Sequence, residues 1–150
     1  MKISFESIEQ IGALGCVMKE QNDSMILQSV EDLEWEIKQL YGGMAAEEII
    51  YGKSGHITGG ADDIKKATAI LQHFVIGNAV YTDAKLNYKL LGEQTNKIEE
   101  LEEKSQYFYD ETMHIIHGHK ELLIYLSSIL LREWSLSKDE IFEFIYDFTE

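Results

Sequence analysis

Residues 40–63 read LYGGMAAEEIIYGKSGHITGGADD, and the fold turns on how this stretch is divided. Leu40 and Tyr41 close a helical spacing that already includes Leu33 and Ile37, with Ser29 placed as its N-cap. Gly42-Gly43 is expected to end or kink that helix, because glycine gives up the most backbone freedom on becoming helical. Ala45, Ala46, Ile49 and Ile50 then fit a second, short helix whose small side chains permit close backbone approach. Gly52 to Gly60 reads as a loop, with glycines at 52, 55, 59 and 60. It delivers Asp62 and Asp63 to the first turn of a third helix, with Ile64, Ala67, Leu71, Phe74 and Val75 as its apolar stripe.

Outward from this stretch the pattern is mostly helical. Residues 79–92 carry no clear period. From about Glu93 to His117 a long amphipathic helix is expected, with Ile98, Leu101, Tyr107 or Phe108, Met113, Ile115 and Ile116 against an acidic face. Gly118 is a natural break. Leu122, Leu123, Leu126, Ile129 and Leu130 make a fifth helix, and Ser137 with Glu140 forms a capping box that starts a sixth around Ile141, Phe144 and Ile145. Upstream, Ile3 and Phe5 fit one strand and Ala13, Leu14, Cys16, Val17 and Met18 another. The expected fold is mainly α (α+β), about six helices with a small N-terminal β-sheet, as one domain over residues 1–150.

Composition narrows the function. Lys and Arg number 13 against 27 Asp and Glu, a net charge of −14. Such a surface repels phosphate backbones and anionic lipid heads, which argues against nucleic-acid binding. The single Cys16 has no internal disulfide partner and suits a reducing compartment. The longest apolar stretch, Leu122 to Leu131, is interrupted by Ser127 and Ser128 and is too short to span a bilayer. The first ten residues have no apolar core and are no signal peptide. A cytoplasmic protein without direct membrane insertion is expected.

The central stretch resembles the peptidase domain of the FtsH family, membrane-bound AAA+ zinc metalloproteases. Gly42, Gly43, Ala45, Ala46, Glu47, Glu48, Ile49, Ile50 and Gly52 match that family's run Leu-Gly-Gly-x-Ala-Ala-Glu-Glu-Ile-Ile-x-Gly, and Thr58, Gly59 and Asp63 match the Thr-Gly-Ala-x-x-Asp after it. The resemblance implies that Asp63 is the third zinc ligand. It further implies an ATP-dependent endopeptidase, working on the cytoplasmic face of the membrane on unfolded or membrane proteins. Lys53 to Ile57 is about two residues longer than the family loop, a tolerated kind of change. Residues 77–92 lack the family's usual Gly-x-Ser-Glu/Asp-x-x-Gly turn, and no His-Glu-x-x-His or phosphate-binding Gly-x-x-x-x-Gly-Lys-Ser/Thr run occurs in the chain.

Each candidate has a plainer reading beside it. Asp62 and Asp63 also suit the positive end of a helix dipole without any metal. Glu47 or Glu48 is the candidate to orient a metal-bound histidine, the other being a surface acid. Ala13, Leu14, Gly15, Cys16 and Val17 resemble the strand to which an extended substrate is added by main-chain hydrogen bonds, or form an ordinary core strand. His114, His117 and His119 lack the spacing of the metalloprotease signature, and Cys16 fits packing better than nucleophilic chemistry. The reading is a zinc metalloendopeptidase domain, catalytically incomplete as the chain stands, with zinc bound only when the domain is complete. Its partners would be polypeptide substrates or protease subunits, itself included as a homo-oligomer. The alternative is a non-catalytic module of the same fold that acts in protein–protein interaction or assembly.

Overall fold

The structure, a computed structural model, describes residues 2–4, 16–18, 29–53, 60–74 and 97–150. It is mainly helical. The helices are α1 (Val30–Tyr51), α2 (Ala61–Gln72), α3 (Ile98–Gly118), α4 (Lys120–Glu133) and α5 (Lys138–Thr149), and the strands are β1 (Lys2–Ser4), β2 (Cys16–Met18) and β3 (Ser135–Ser137). The chain forms two compact units, one of Leu27–Gly118 and one of Met1–Ile26 with His119–Glu150.

In the first unit α1, α2 and α3 share one core. Ile37, Tyr41, Ala67, Leu71 and Phe108 are its buried residues, with Leu40, Met44, Ile70, Leu101 and Tyr109 packed around them. Ile37, Tyr41 and Ala45 recur every four residues on α1, and Ala67 and Leu71 do so on α2, so each helix turns one stripe inward. Phe108, rather than Tyr107, is the inward aromatic of α3: it is 1% exposed against 53% for Tyr107. Thr112, the one buried polar residue described, donates its hydroxyl to the Phe108 carbonyl at 2.7 Å. That bond meets the requirement of a buried polar group for a partner.

Two expectations are corrected here. Gly42-Gly43 does not end α1, which runs from Val30 to Tyr51. The two helices expected on either side of it are therefore one, and five helices rather than six are seen among the described residues. The physical reason is tertiary: Tyr41 and Ala45 flank the glycine pair and are both buried, so packing on each side overrides the local helix penalty. The second correction is Ile64, expected in the stripe of α2 but 46% exposed. Val75, Phe5, residues 79–92 and the start of the long helix at 93–96 lie outside the described residues.

Helix ends follow their caps. Ser29 and Asp32 make a reciprocal capping box: the Asp32 amide donates to Ser29 Oγ at 3.1 Å and the Ser29 amide to Asp32 Oδ2 at 3.0 Å. Gly52 closes α1 with φ 75°, a conformation that favours glycine, and its amide donates to the Glu48 carbonyl at 2.9 Å. Gly60, at the start of α2, is held by space instead: a Cβ there would lie 2.9 Å from Met44 Cγ. This close approach seats the entrance of α2 against α1.

The second unit is built around β1, which pairs antiparallel with β2 (Ile3 opposite Val17) and with β3 (Ile3 opposite Leu136). Its buried cluster is Ile129, Leu136 and Ile141, with Tyr125, Leu130, Phe144 and Ile145 around it. The expected box of Ser137 and Glu140 caps α5, through Ser137 amide to Glu140 Oε2 at 2.8 Å and Glu140 amide to Ser137 Oγ at 3.3 Å.

Leu71→Ala should destabilise the protein by about 2–5 kcal/mol, and Ile64→Ala on the same helix by less than about 1 kcal/mol, in urea denaturation. A Cβ at Gly42 or Gly43 meets nothing within 4 Å. Gly43→Ala, at an exposed site, should therefore stabilise by about 0.5–1 kcal/mol. A loss of stability there would mean that α1 is not continuous through the glycine pair.

Candidate functional site

Asp63 sits in the first turn of α2, and Glu47 and Glu48 in the last turns of α1. Asp63 is partly covered and its neighbour Asp62 is exposed. The Asp63 carboxylate lies 3.5 Å from Lys66 Nζ, an exposed pair one turn apart of the kind that adds little to stability. The helix that carries Asp63 is fixed by Ala67 and Leu71 in the core and by the contact of Gly60 with Met44. Its position is thus set by packing rather than by the ion pair.

Glu47 and Glu48 occupy an unfavourable place. They stand where the helix dipole is negative, and the last turn of α1 carries no basic residue. Glu48 is compensated from another helix. Tyr109 on α3 donates its hydroxyl to Glu48 Oε2 at 2.7 Å, and its ring meets that of Tyr41 edge-on at 5.9 Å between centroids. Partial burial raises the pKa of the Tyr109 phenol well above its ordinary value, and the Glu48 carboxylate raises it further through the hydrogen bond and its charge. Beside this pair lies an open concavity of about 540 Å³ lined by Glu48, Lys53, Gln106, Tyr109, Asp110 and Met113.

The α1–α3 seam has two more polar links. Tyr41 Oη and Ser105 Oγ are 2.7 Å apart. Lys38 Nζ lies 2.6 Å from Glu111 Oε2 and 5.0 Å from the centre of the Trp35 ring. The hydrogen bond from Lys38 holds the Glu111 carboxyl below its usual range. Nothing in the local sequence announces the Tyr109–Glu48 bond, since its partners are 61 positions apart.

No three or more His, Cys, Asp and Glu side chains converge to hold a metal ion among the described residues. Asp63, Glu47 and Glu48 are therefore not brought together as a ligand set. A catalytic zinc site takes three protein ligands, so the described residues do not by themselves fit one. His114 and His117 lie exposed on α3, and His119 is the exposed N-cap of α4. Of the strand candidates, Cys16 and Val17 fall in β2, which is an outer strand of the order β2-β1-β3. Ala13, Leu14 and Gly15 lie outside the described residues, as do the matched Thr58 and Gly59.

The sequence model of peptidase family M41 matches residues 7–144, and the chain belongs to that family. It is similar to the ATP-dependent zinc metalloprotease FtsH of Buchnera aphidicola subsp. Baizongia pistaciae, 35% identical over 114 residues, which cover 75% of this chain and 18% of that protein. The FtsH of Mycoplasmopsis synoviae is 34% identical over 131 residues, covering 75% of this chain and 20% of that one. The FtsH of Lachnoclostridium phytofermentans is 29% identical over 133 residues, covering 87% and 23%. The chain thus spans about a fifth of the length of the curated relatives it matches.

Tyr109→Phe should cost about 1 kcal/mol near neutral pH by removing the donor to Glu48. Because the folded phenol has a raised pKa, its contribution is complete below the ordinary tyrosine value of about 10 and is lost as pH rises above it. The gap in urea stability between the wild type and Tyr109→Phe should therefore hold steady up to about pH 10 and narrow beyond it. Tyr107 and Tyr146 also have raised values, but both remain in the variant and cancel in the difference. A gap independent of pH would contradict the hydrogen bond.

Proposed function

We propose that this chain is part of the zinc metalloendopeptidase domain of an ATP-dependent FtsH-like protease that degrades unfolded or membrane proteins, and that it is catalytically incomplete as it stands. The observation that carries this reading is the family match over residues 7–144, which takes in both compact units and so supports one peptidase domain over the whole chain. In this reading the complete domain has about six helices beside a small N-terminal sheet. Asp63 supplies one zinc ligand, and zinc is held only when further ligands join it. The metal supplies Lewis-acid chemistry when bound. This chain's part is to hold the Asp63 carboxylate on a packed helix start.

Glu47 or Glu48 would support the ligand sphere from α1, with Tyr109 fixing the Glu48 carboxylate. Cys16 and Val17, with Ala13, Leu14 and Gly15 before them, would offer main-chain hydrogen bonds to an extended substrate. Protease subunits, including copies of the chain itself, would be its partners. The family resemblance is what places the domain on the cytoplasmic side in this reading; no helix among the described residues is long and apolar enough to cross a membrane. A second reading is a non-catalytic module of the same fold that assembles with protease subunits.

Two neighbouring aspartates provide the test. In the 150-residue chain, Asp63→Ala should change stability by no more than about 1 kcal/mol, through lost interaction with the helix dipole. The chain alone should not cleave casein with added zinc. Behind a His-Glu-x-x-His helix taken from a relative, Asp63→Ala should abolish zinc occupancy and peptidase activity, while Asp62→Ala should spare both. Equal effects at the two positions would reject Asp63 as a ligand. A domain completed in this way that still binds no zinc would favour the assembly module.

A further inference from the structure

The outer face of α5 combines exposed aromatic rings with carboxylates. Asp139, Phe142, Glu143, Tyr146 and Glu150 recur at spacings of three and four and so share one side of the helix, while Ile141 is buried on another. Phe142 is 58% and Tyr146 62% exposed, so two aromatic rings stand in solvent between carboxylates. Tyr146 donates its hydroxyl to Glu150 Oε1 at 2.6 Å, which orients that carboxylate beside the ring. The sole basic residue of the helix, Lys138, holds its ammonium 5.9 Å from the centre of the Phe142 ring. The chain thus supplies one example of a cation on this face.

We propose that this face docks a cationic polypeptide segment, whose lysine and arginine side chains seat on Phe142 and Tyr146 between the flanking acids. Charge selects this occupant. A second copy docked by this same face would set carboxylate against carboxylate, and nucleic acid or anionic lipid would be repelled by a chain at −14. An uncharged apolar partner would cover the rings but strip water from unpaired carboxylates, at a cost. A cationic side chain meets both demands, through the ring face and through the charge-assisted bond to the acid. The proposal is independent of the peptidase reading and uses none of its residues.

The test titrates the full chain by calorimetry with a synthetic peptide in which lysine and arginine alternate with leucine at helical spacing. A peptide with every cation replaced by glutamine is the control. The wild type should bind the cationic peptide, more weakly as salt is added, and should not bind the control. Phe142→Ala with Tyr146→Ala keeps every charge and should weaken binding by about tenfold. Glu143→Gln keeps both rings and should also weaken it, whereas Glu99→Gln with Glu102→Gln, on the exposed side of α3, should leave it near wild type. Circular dichroism of each variant checks that it is folded. Wild-type affinity in both α5 variants would mean that only the overall charge attracts the peptide, and would overturn the proposal. So would equal binding of the control peptide, or sedimentation showing a wild-type dimer that the aromatic variant abolishes.

Discussion

The burial of Phe108 is the constraint on which the Leu27–Gly118 unit depends. Its ring, on α3, belongs to a cluster with Ile37 and Tyr41 from α1 and Ala67 and Leu71 from α2. Two buried positions of α1 and α2, Ala45 and Ala67, are alanines with no exposed surface. Small side chains there let the helix backbones come near one another, and a larger residue would force them apart. The polar links of the seam, Tyr41 with Ser105 and Lys38 with Glu111, lie around this core and fix how α3 meets α1 without supplying the main driving force.

Local signals in the sequence were legible wherever neighbours along the chain decide the outcome. Ser29 and Ser137 cap their helices because each finds an acid three residues on, and Gly118 ends α3 where the amphipathic period stops. Gly42-Gly43 misled because its local penalty of about 1 kcal/mol per glycine is smaller than the burial of Tyr41 and Ala45 on either side. The choice between Tyr107 and Phe108 was open for a similar reason. Both fit the helical period, and only the position of α1 decides which ring turns inward.

The candidate site was legible as a motif and not as a geometry. Asp63 could be picked from its neighbour only by resemblance, since Asp62 carries the same charge one residue away. The structure adds a physical difference, the partial cover of Asp63 against the exposure of Asp62. The role of Glu48 could not be read at all, because its partner Tyr109 lies on a helix far along the chain. Sequence periodicity reports which side of a helix is apolar. It does not report which polar group of another helix that side will meet.

Glu47 and Glu48 run against the ordinary rule that helix C-terminal turns favour positive charge. Taken by itself, the helix dipole disfavours a negative charge there. The Tyr109 hydroxyl offsets part of the conflict at Glu48 while leaving that residue on the wall of an open concavity. Both carboxylates stand at this end of α1, close in sequence to the start of α2 and to Asp63. The Tyr109 hydroxyl restricts the orientation of the Glu48 carboxylate on that wall, so the bond that links α3 to α1 also sets which way the acid faces.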